Sequence, residues 1–158
     1  MYDHMREALR KAAEAGSAGE IPVGAVIVKN GEVVCGAANE CEQRLDPTAH
    51  AEMLAIREAC RILGTKTLQG CELYVTLEPC PMCAGAAAAA GISKLVFGSY
   101  DTEYGACGSV WNLPAHPFSG RMEVYGGIME ADCASMLREF FSGMRQKKKA
   151  EDPPISIS

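Results

Sequence analysis

Two short segments of the chain carry side chains that bind transition metals. His50 opens the segment His-Ala-Glu, and Cys80 and Cys83 lie thirty residues further on, in Pro-Cys-Pro-Met-Cys. Two thiolates and one imidazole suit zinc, and three protein ligands leave the fourth position of a tetrahedral ion for water. A fold that uses all three ligands must bring the two segments together.

The local spacing predicts how these side chains are presented. Cys80 and Cys83 are at positions i and i+3, so both sulfurs face one side of a helix if Pro81 occupies its first turn. His50 and Glu52 are at i and i+2 and would point roughly 200° apart on a regular helix. We therefore expect His50 at a helix start and Glu52 in the first turn, within reach of a water on the metal.

The charge balance gives Glu52 a role apart from the ligands. Zinc, two thiolates and a neutral imidazole sum to zero, so Glu52 is free to act as a general base. H-x-E followed by P-C-x-x-C is the signature of zinc deaminases. Two other interpretations stay open. A thioredoxin-like pair at Cys80 and Cys83 leaves His50 and Glu52 unexplained, and a structural zinc site needs a fourth protein ligand.

Length and composition indicate a single globular domain, expected over residues 1–149 with a frayed tail over 150–158. The chain has 158 residues, 48% of them hydrophobic, which is close to globular averages. No apolar run approaches the roughly 20 residues of a membrane span, and the charged N-terminus lacks the apolar stretch of a secretory signal. We expect a cytoplasmic protein whose eight cysteines serve metal binding or packing rather than disulfides.

Hydrophobic periodicity predicts alternating helices and strands. Helices are expected at 2–15, ended by Gly16, at 50–63, within 79–91 and at 130–148, and strands at 22–29, 32–38, 71–77, 93–99 and 121–126. Asn30-Gly31 predicts a hairpin between the first two strands. The segments 39–47 and 100–120 are expected to be loops. This order predicts an α/β fold, a three-layer α/β/α sandwich with a central five-stranded mixed sheet.

The net charge of −5 argues mildly against a nucleic-acid partner, but the charge is unevenly distributed. Residues 138–149 hold five basic side chains against one acidic side chain, that of Glu139. A basic end on an acidic body is typical of a local contact with a polyanion. The alternative is a solvated helix end whose lysines suit the helix dipole.

Longer motifs resemble those of bacterial tRNA-specific adenosine deaminases, in the cytidine deaminase-like superfamily. The resemblance covers residues 2–149. It is carried by DPTAHAEM (46–53), LEPCPMCAGA (77–86), VFGSYD (96–101), GACGS (105–109) and FFSGMRQKKK (140–149). DPTAHAE and EPCPMC also look like guanine deaminase. The segment EIPVGAVIV (20–28), the GACGS loop and the basic helix end are more specific.

The resemblance implies a reaction. Such enzymes convert the adenosine at the wobble position of a tRNA anticodon to inosine by hydrolytic deamination, typically in the arginine tRNA with anticodon ACG. One zinc per subunit would be held by His50, Cys80 and Cys83. Zinc-activated water would attack C6 of a flipped base while Glu52 shuttles a proton and ammonia leaves. The family is homodimeric, and the partner subunit completes the active site.

The resemblance also suggests RNA contacts. Asn39 matches the family's asparagine at the pocket mouth, which hydrogen-bonds the target nucleotide; the alternative is an ordinary strand-ending turn residue. Asp101 matches an aspartate near the target nucleotide. Phe140 and Phe141 are neighbours on one helix and point roughly 100° apart, so they cannot both face the protein core. Phe141 is expected at the edge of the base pocket. The basic side chains expected on the RNA backbone are those of Arg145, Lys147, Lys148 and Lys149.

The chain departs from the family where substrate contacts are expected. AAAAAG (86–91) replaces larger and polar side chains, and Pro114 and His116 alter a loop. Trp111 stands in place of an aliphatic residue or methionine, and we expect it to be a buried anchor rather than a stacking platform. Two other functions stay open: a deaminase of free guanine, cytosine or a nucleoside, and a zinc-stabilised binding protein without catalysis, which would have no use for Glu52.

Overall fold

The computed structural model describes residues 1–151 and contains one five-stranded sheet with helices on both faces. The strands are β1 (Gly24–Lys29), β2 (Glu32–Ala38), β3 (Cys71–Leu77), β4 (Lys94–Ser99) and β5 (Glu123–Tyr125). The helices are α1 (Tyr2–Ser17), α2 (Cys41–Arg44), α3 (Ala51–Leu63), α4 (Pro81–Ala90) and α5 (Glu130–Glu151). The predicted three-layer α/β/α sandwich with a mixed sheet is confirmed.

The sheet has the strand order β2-β1-β3-β4-β5. β1 pairs antiparallel with β2 and β3, whereas β3, β4 and β5 run parallel. The predicted hairpin turns at Asn30 and Gly31, which have φ values of 52° and 78°. A tight hairpin turn of this kind needs positive φ at both central residues, which explains why the Asn-Gly pair marks it.

Four strand ends meet at one edge of the sheet. The carboxyl ends of β3 and β4 lie side by side, since Leu77 pairs with Ser99. The antiparallel β1 begins at this edge, where the Gly24 N–H donates to the Thr76 hydroxyl at 3.2 Å, and β2 ends opposite Gly24. The loops that leave these strands therefore share one region of the surface, where ligand sites of open α/β sheets form.

Alternate side chains of β1 fill two separate cores. Ala25 and Ile27 pack on the side of α3 and α4, and Val26 and Val28 on the side of α1 and α5. Burial on both faces explains why the strand is a continuous apolar run in the sequence. The helices α1, α3 and α4 each bury one stripe of side chains. Within residues 1–151 no helix is both long and apolar enough to cross a bilayer.

Two glycines allow helices to approach the sheet closely. A Cβ atom on Gly24 would lie 2.0 Å from the carbonyl oxygen of Ala8 in α1. One on Gly98 in β4 would lie 2.3 Å from the sulfur of Cys133 in α5. Neither position has room for a side chain, so the packing of both helices depends on bare backbone there.

Several boundaries differ from the sequence prediction. The first helix continues through Gly16 to Ser17, and the backbone turns at Gly19, whose φ is 83°. The segment 39–47, predicted as a loop, contains the short helix α2. The last helix extends to Glu151, past the predicted start of the tail at 150, and residues 152–158 of that tail lie outside the described residues.

Candidate active site and metal centre

His50 and Glu52 lie at the start of α3, as their spacing predicts. His50 precedes the helix with extended backbone (φ −66°, ψ 148°), and Glu52 is in the first turn. Because the backbone is not yet helical at His50, the 200° separation of a regular helix does not apply. Both side chains line the same pocket.

Cys80 and Cys83 lie at the start of α4. Cys80 precedes the helix with extended backbone (φ −71°, ψ 172°), Pro81 is the first helical residue, and Cys83 follows. Proline suits this position because the N–H that it lacks has no partner in the first turn of any helix. The positive end of the helix dipole favours the thiolate form of a cysteine placed there.

The three candidate ligands converge. The Nδ1 atom of His50 lies 3.7 Å from the sulfur of Cys80 and 3.4 Å from the sulfur of Cys83. The three ligand atoms all lie within 4.8 Å of one another, which is compatible with one ion bonded at about 2.0–2.3 Å to each of them. One imidazole nitrogen and two sulfurs fit zinc, the ion that the sequence predicts.

The two cysteines differ electrostatically. A hydrogen bond from the Cys83 thiol, with a further one from His50, lowers the pKa of Cys80 to about 4. The hydrogen bond to Cys80, together with burial, raises the pKa of Cys83. Without a cation, the thiolate form is therefore favoured at Cys80 and the proton at Cys83. A bound cation would replace that proton, because the thiolate is the form that binds metals.

Five of the remaining six thiols lack this activation. Burial raises the pKa of Cys35 and Cys133 to about 11 and that of Cys107 to about 12. It also raises the pKa of Cys41 and Cys71. A thiol with a raised pKa is a poor nucleophile and a poor metal ligand. Cys35, Cys71, Cys107 and Cys133 act as packing residues, whereas Cys41 donates a hydrogen bond to Asn39.

Glu52 lies in a pocket beside the three ligands. It is 4% exposed, and burial raises the pKa of its carboxyl group. The pocket has a volume of about 380 Å³, a size typical of small-molecule sites. The rest of its wall includes Ile21, Val23, Leu77, Asn39, Asp101 and Tyr104. This apolar and polar mixture can enclose a flat ring and orient it.

A second buried carboxylate, that of Glu78, holds the loop after β4 against the pocket. Glu78 is 2% exposed and accepts hydrogen bonds from the backbone N–H groups of Cys107 and Ser109, both at 3.2 Å. The Asp101 N–H at 3.4 Å and the Ser109 hydroxyl also donate to it. A Cβ atom on Gly105 would lie 2.2 Å from the carboxylate, so the loop fits only around glycine there.

Replacing Glu78 with glutamine is expected to loosen this loop. The amide turns an NH₂ group toward N–H donors, and each hydrogen bond lost to a charged acceptor costs about 1.5–3 kcal/mol. The melting temperature should fall by several degrees while the zinc content stays unchanged, as measured by thermal denaturation and metal analysis. Glu32→Gln, at an exposed position of β2, is the control. Equal melting temperatures for the two variants would contradict the assignment.

A third buried carboxylate, that of Glu20, fixes the opposite rim. Glu20 is fully buried and accepts hydrogen bonds from the N–H groups of Glu42 and Gln43, at 2.8 and 3.0 Å, in α2. The neighbouring Asn39 donates to the Ile21 carbonyl at 3.3 Å and accepts from a thiol at 3.1 Å. One N–H and one lone pair of this amide remain for a ligand. No sequence motif marks Glu20 or Glu78 as a residue that supports the site.

The predicted site residues fall into two groups. The pocket and the ligand cluster contain Asn39, His50, Glu52, Cys80, Cys83 and Asp101. The Asp101 carboxylate also accepts hydrogen bonds from the N–H groups of Glu103 and Tyr104, both at 3.0 Å, which shapes the loop. The other group is Phe141, Arg145, Lys147 and Lys148, which lie on α5, are exposed and do not line the pocket.

Trp111 is 47% exposed, so the expectation of a buried anchor is wrong. The loop that carries it turns the side chains of Ala106 and Cys107 inward, to 0% and 8% exposure. The residues that follow, 108–111, remain on the outside. The interior here is filled by Gly105, Ala106 and Cys107, the small residues at the start of the GACGS segment, which leaves no place for an indole ring.

The sequence is similar to those of known proteins. Residues 2–99 match the family model described as the cytidine and deoxycytidylate deaminase zinc-binding region. The chain is 48% identical over 154 residues to the tRNA-specific adenosine deaminase of Bacillus subtilis (strain 168). That alignment covers 97% of this chain and 96% of the relative, so the similarity extends beyond the zinc-binding region.

Solved structures share the fold. One, from a study of A-to-I editing by tRNA:A34 deaminases at the wobble position of transfer RNA, has a TM-score of 0.83 and 40% identity. It is matched over 87% of this chain and 100% of its own. A guanine deaminase from Bacillus subtilis has a TM-score of 0.61 and 42% identity, over 64% of this chain and 65% of its own. The chain belongs to the tRNA-specific adenosine deaminase family, within the cytidine deaminase-like superfamily.

Proposed function

We propose that this protein is a zinc-dependent tRNA adenosine deaminase that hydrolyses the wobble adenosine of an anticodon to inosine. The observation that carries the proposal is the buried Glu52 carboxylate beside the three metal-binding side chains, in a pocket that suits a flipped base. The full-length similarity to a tRNA-specific adenosine deaminase supports the substrate class. Residues 1–149 would form the single catalytic domain of a cytoplasmic enzyme.

The zinc ligands would be the Nδ1 atom of His50 and the sulfurs of Cys80 and Cys83, with one ion per chain. When bound, zinc would supply the Lewis acid that activates water for attack on the base. The ligands lie at the starts of α3 and α4, which pack on the same face of the sheet. The core therefore orients the ligands before the ion arrives, which favours binding.

Glu52 would move the protons that hydrolysis requires. Its carboxylate takes a proton from the attacking water and delivers it to N1 of the purine as the water oxygen bonds to C6. It then carries the remaining hydroxyl proton to the amino group, the C6–N bond breaks, and ammonia leaves. Glu52 returns to the carboxylate form, and its burial keeps bulk water away from these transfers.

Asn39 and Asp101 would contact the target nucleotide from opposite rims of the pocket. Asn39 follows β2 and Asp101 follows β4, at the two sides of the edge where the strand ends meet. The free N–H and lone pair of the Asn39 amide can bond to the sugar or the base edge. The rim would thus orient the nucleotide while Glu52 and zinc perform the chemistry.

The basic end of α5, residues 145–149, would contact RNA phosphates away from the pocket, with Phe141 on the preceding turn. Changing Lys147, Lys148 and Lys149 to alanine should weaken tRNA binding at low salt. The slope of log K against log[salt] should fall by about 2–3, because each neutralised phosphate contributes about 0.7–0.9. Fluorescence anisotropy of labelled tRNA at several salt concentrations measures it.

The exposed Lys29, in the β1–β2 hairpin, offers the matched control. Lys29 is the last residue of β1, at the end of the sheet that lies away from the pocket. Lys29→Ala should leave the slope unchanged. If the triple variant keeps the wild-type slope, the basic end of α5 serves solubility and not RNA binding.

A second subunit would complete the assembly as a homodimer. The face of α4 that carries Gly85 and Ala89 has only small side chains, and nothing lies within 4 Å of a Cβ atom placed on Gly85. Small side chains allow two helices to approach closely, which suits this face for contact with a second copy of the chain.

Deamination of a free base or nucleoside is the competing function. The similarity to a guanine deaminase, which covers 64% of this chain, is the observation that favours it. Zinc-loaded protein is incubated separately with an ACG-anticodon arginine tRNA and with free adenosine, cytidine and guanine. We expect turnover of the tRNA only. Turnover of a free compound with the tRNA unchanged would keep the zinc site and discard the RNA contacts.

A further inference from the structure

Two aromatic side chains beside the pocket are exposed to solvent. Tyr104 lines the pocket and is 61% exposed, and Trp111 is 47% exposed. Trp111 is the single tryptophan of the chain. Exposed apolar residues are common when scattered, but two large rings on one loop, one of them on the pocket wall, can form a contact surface.

The backbone brings these two residues together. The N–H groups of Val110 and Trp111 donate to the carbonyl of Gly105 at 2.9 and 3.1 Å, and Gly105 directly follows Tyr104. The Gly108 N–H donates to the Trp111 carbonyl at 2.8 Å and closes the turn. Tyr104 and Trp111 therefore stand at the two ends of one tight turn, next to the pocket.

The turn is rigidly supported from below. Glu78 accepts hydrogen bonds from the N–H and the hydroxyl of Ser109, and the Ala106 N–H donates to the Pro79 carbonyl at 2.8 Å. Ala106 itself is fully buried. The backbone that carries both rings is thus already ordered, which lowers the entropic cost of binding a ligand there.

The local chemistry selects a base over a phosphate. The side chains between the pocket and the turn include the carboxylates of Asp101 and Glu103, whereas the basic cluster is on α5. Negative charge disfavours phosphate contacts here. Flat aromatic rings accept the face of any nucleobase, and unpaired bases of RNA loops stack on such rings.

We propose that Tyr104 and Trp111 form a stacking surface for a nucleobase adjacent to the target adenosine in single-stranded RNA. The proposal rests on the proposed function and adds a recognition site outside the pocket. A base flipped into the pocket leaves its neighbours unstacked, and this surface would replace the stacking that they lose. It would fix the strand relative to Glu52 and would tolerate different neighbouring bases.

The test uses the intrinsic fluorescence of the single tryptophan. A fluorescein-labelled anticodon stem-loop is titrated into the zinc-loaded, full-length Glu52→Gln protein, whose slowed turnover should leave the RNA unchanged during the titration. Anisotropy reports binding, and Trp111 emission reports stacking in parallel titrations with unlabelled RNA. We expect emission to be quenched in step with binding, and the quenching to be lost when the neighbouring nucleotide is abasic.

Variants of the two rings give a second readout. Tyr104→Ala and Trp111→Ala should each weaken stem-loop binding by about 5- to 100-fold, the effect of losing one stacked base. Tyr104→Phe and Trp111→Phe, which keep a ring, should recover most of it. Phe118→Ala is the matched control, because Phe118 is 57% exposed, packs on His116 and does not line the pocket. It should bind like the parent.

Three results would overturn the proposal. Full binding with unchanged Trp111 emission and unchanged affinity of both alanine variants would show that the rings do not touch RNA. Conversion of a dimer to a monomer by Trp111→Ala, seen in sedimentation, would make the surface a subunit interface. Failure of the parent to bind any stem-loop would refute the proposed RNA substrate itself, and this inference with it.

Discussion

The Glu52→Gln variant is expected to keep its fold and its zinc while its turnover falls by about 10²–10⁴-fold, the usual contribution of a general acid–base group. Glutamine has nearly the same shape but cannot take a proton from water. Glu52 is not one of the three clustered ligand residues, so the variant should still bind the ion. Single-turnover kinetics on tRNA, with metal analysis and thermal denaturation of the same samples, measures the three properties separately.

The matched control is Glu58→Gln on the same helix. Glu58 pairs with Arg61 on the solvent side of α3, and its loss should change turnover little. If Glu52→Gln retained strong deamination, Glu52 would lose its role as the proton carrier. If it lost its zinc as well, the carboxylate would belong to the metal site and the charge argument would be wrong.

The Cys80→Ser variant is expected to lose both zinc and activity. Serine offers a hydroxyl that stays protonated near neutral pH, where Cys80 has a thiolate, so one of three protein ligands disappears. The variant should also melt at a lower temperature, because a metal present at 100 times its Kd stabilises the fold by about 2.7 kcal/mol. Metal analysis, thermal denaturation and the tRNA assay check these outcomes.

Cys133→Ser provides the comparison for Cys80→Ser. Cys133 is buried in α5 and packs against Gly98, away from the three ligands. Its replacement should lower stability slightly and leave the zinc content at one ion per chain. Chelation of the wild type should reproduce the Cys80→Ser behaviour, and added zinc should restore the wild type only. Normal zinc content in Cys80→Ser would remove this sulfur from the metal site.

The position of each metal ligand at its own helix start could be predicted, because the local spacing of the residues determines it. The i, i+2 spacing of His50 and Glu52 excludes a regular helix at His50, and Pro81 marks the first position of α4. The meeting of the two segments depends on the sheet. Only the strand order brings the start of α3 beside the start of α4, and no local spacing encodes that order.

The buried carboxylates could not be predicted from local patterns. Glu20 and Glu78 are 0% and 2% exposed, whereas a glutamate is usually a surface residue. Their partners are backbone N–H groups that come from 22 to 31 residues away along the chain, and these become visible only when the loops are in place. The helix α2 was missed for the same reason, since Glu20 bonds to its N–H groups.

The exposure of Trp111 shows a different limit. A tryptophan is usually well buried, and that average predicts a buried anchor. The segment 105–107 instead fills the interior with small residues, and Trp111 stays on the outside with the rest of the turn. The order of small and large residues in GACGSVW predicts the exposure of Trp111 only when one knows which residues of the turn face the interior.

The most direct test of the account is the position of inosine within a single tRNA. Zinc-loaded protein is incubated with an arginine tRNA of anticodon ACG, and every adenosine is scored by reverse transcription and sequencing, in which inosine is copied as guanosine. We expect conversion at the wobble position alone, and much less of it with the Glu52→Gln protein. Conversion at other adenosines to the same extent, or none at the wobble position by the zinc-loaded wild type, would contradict it.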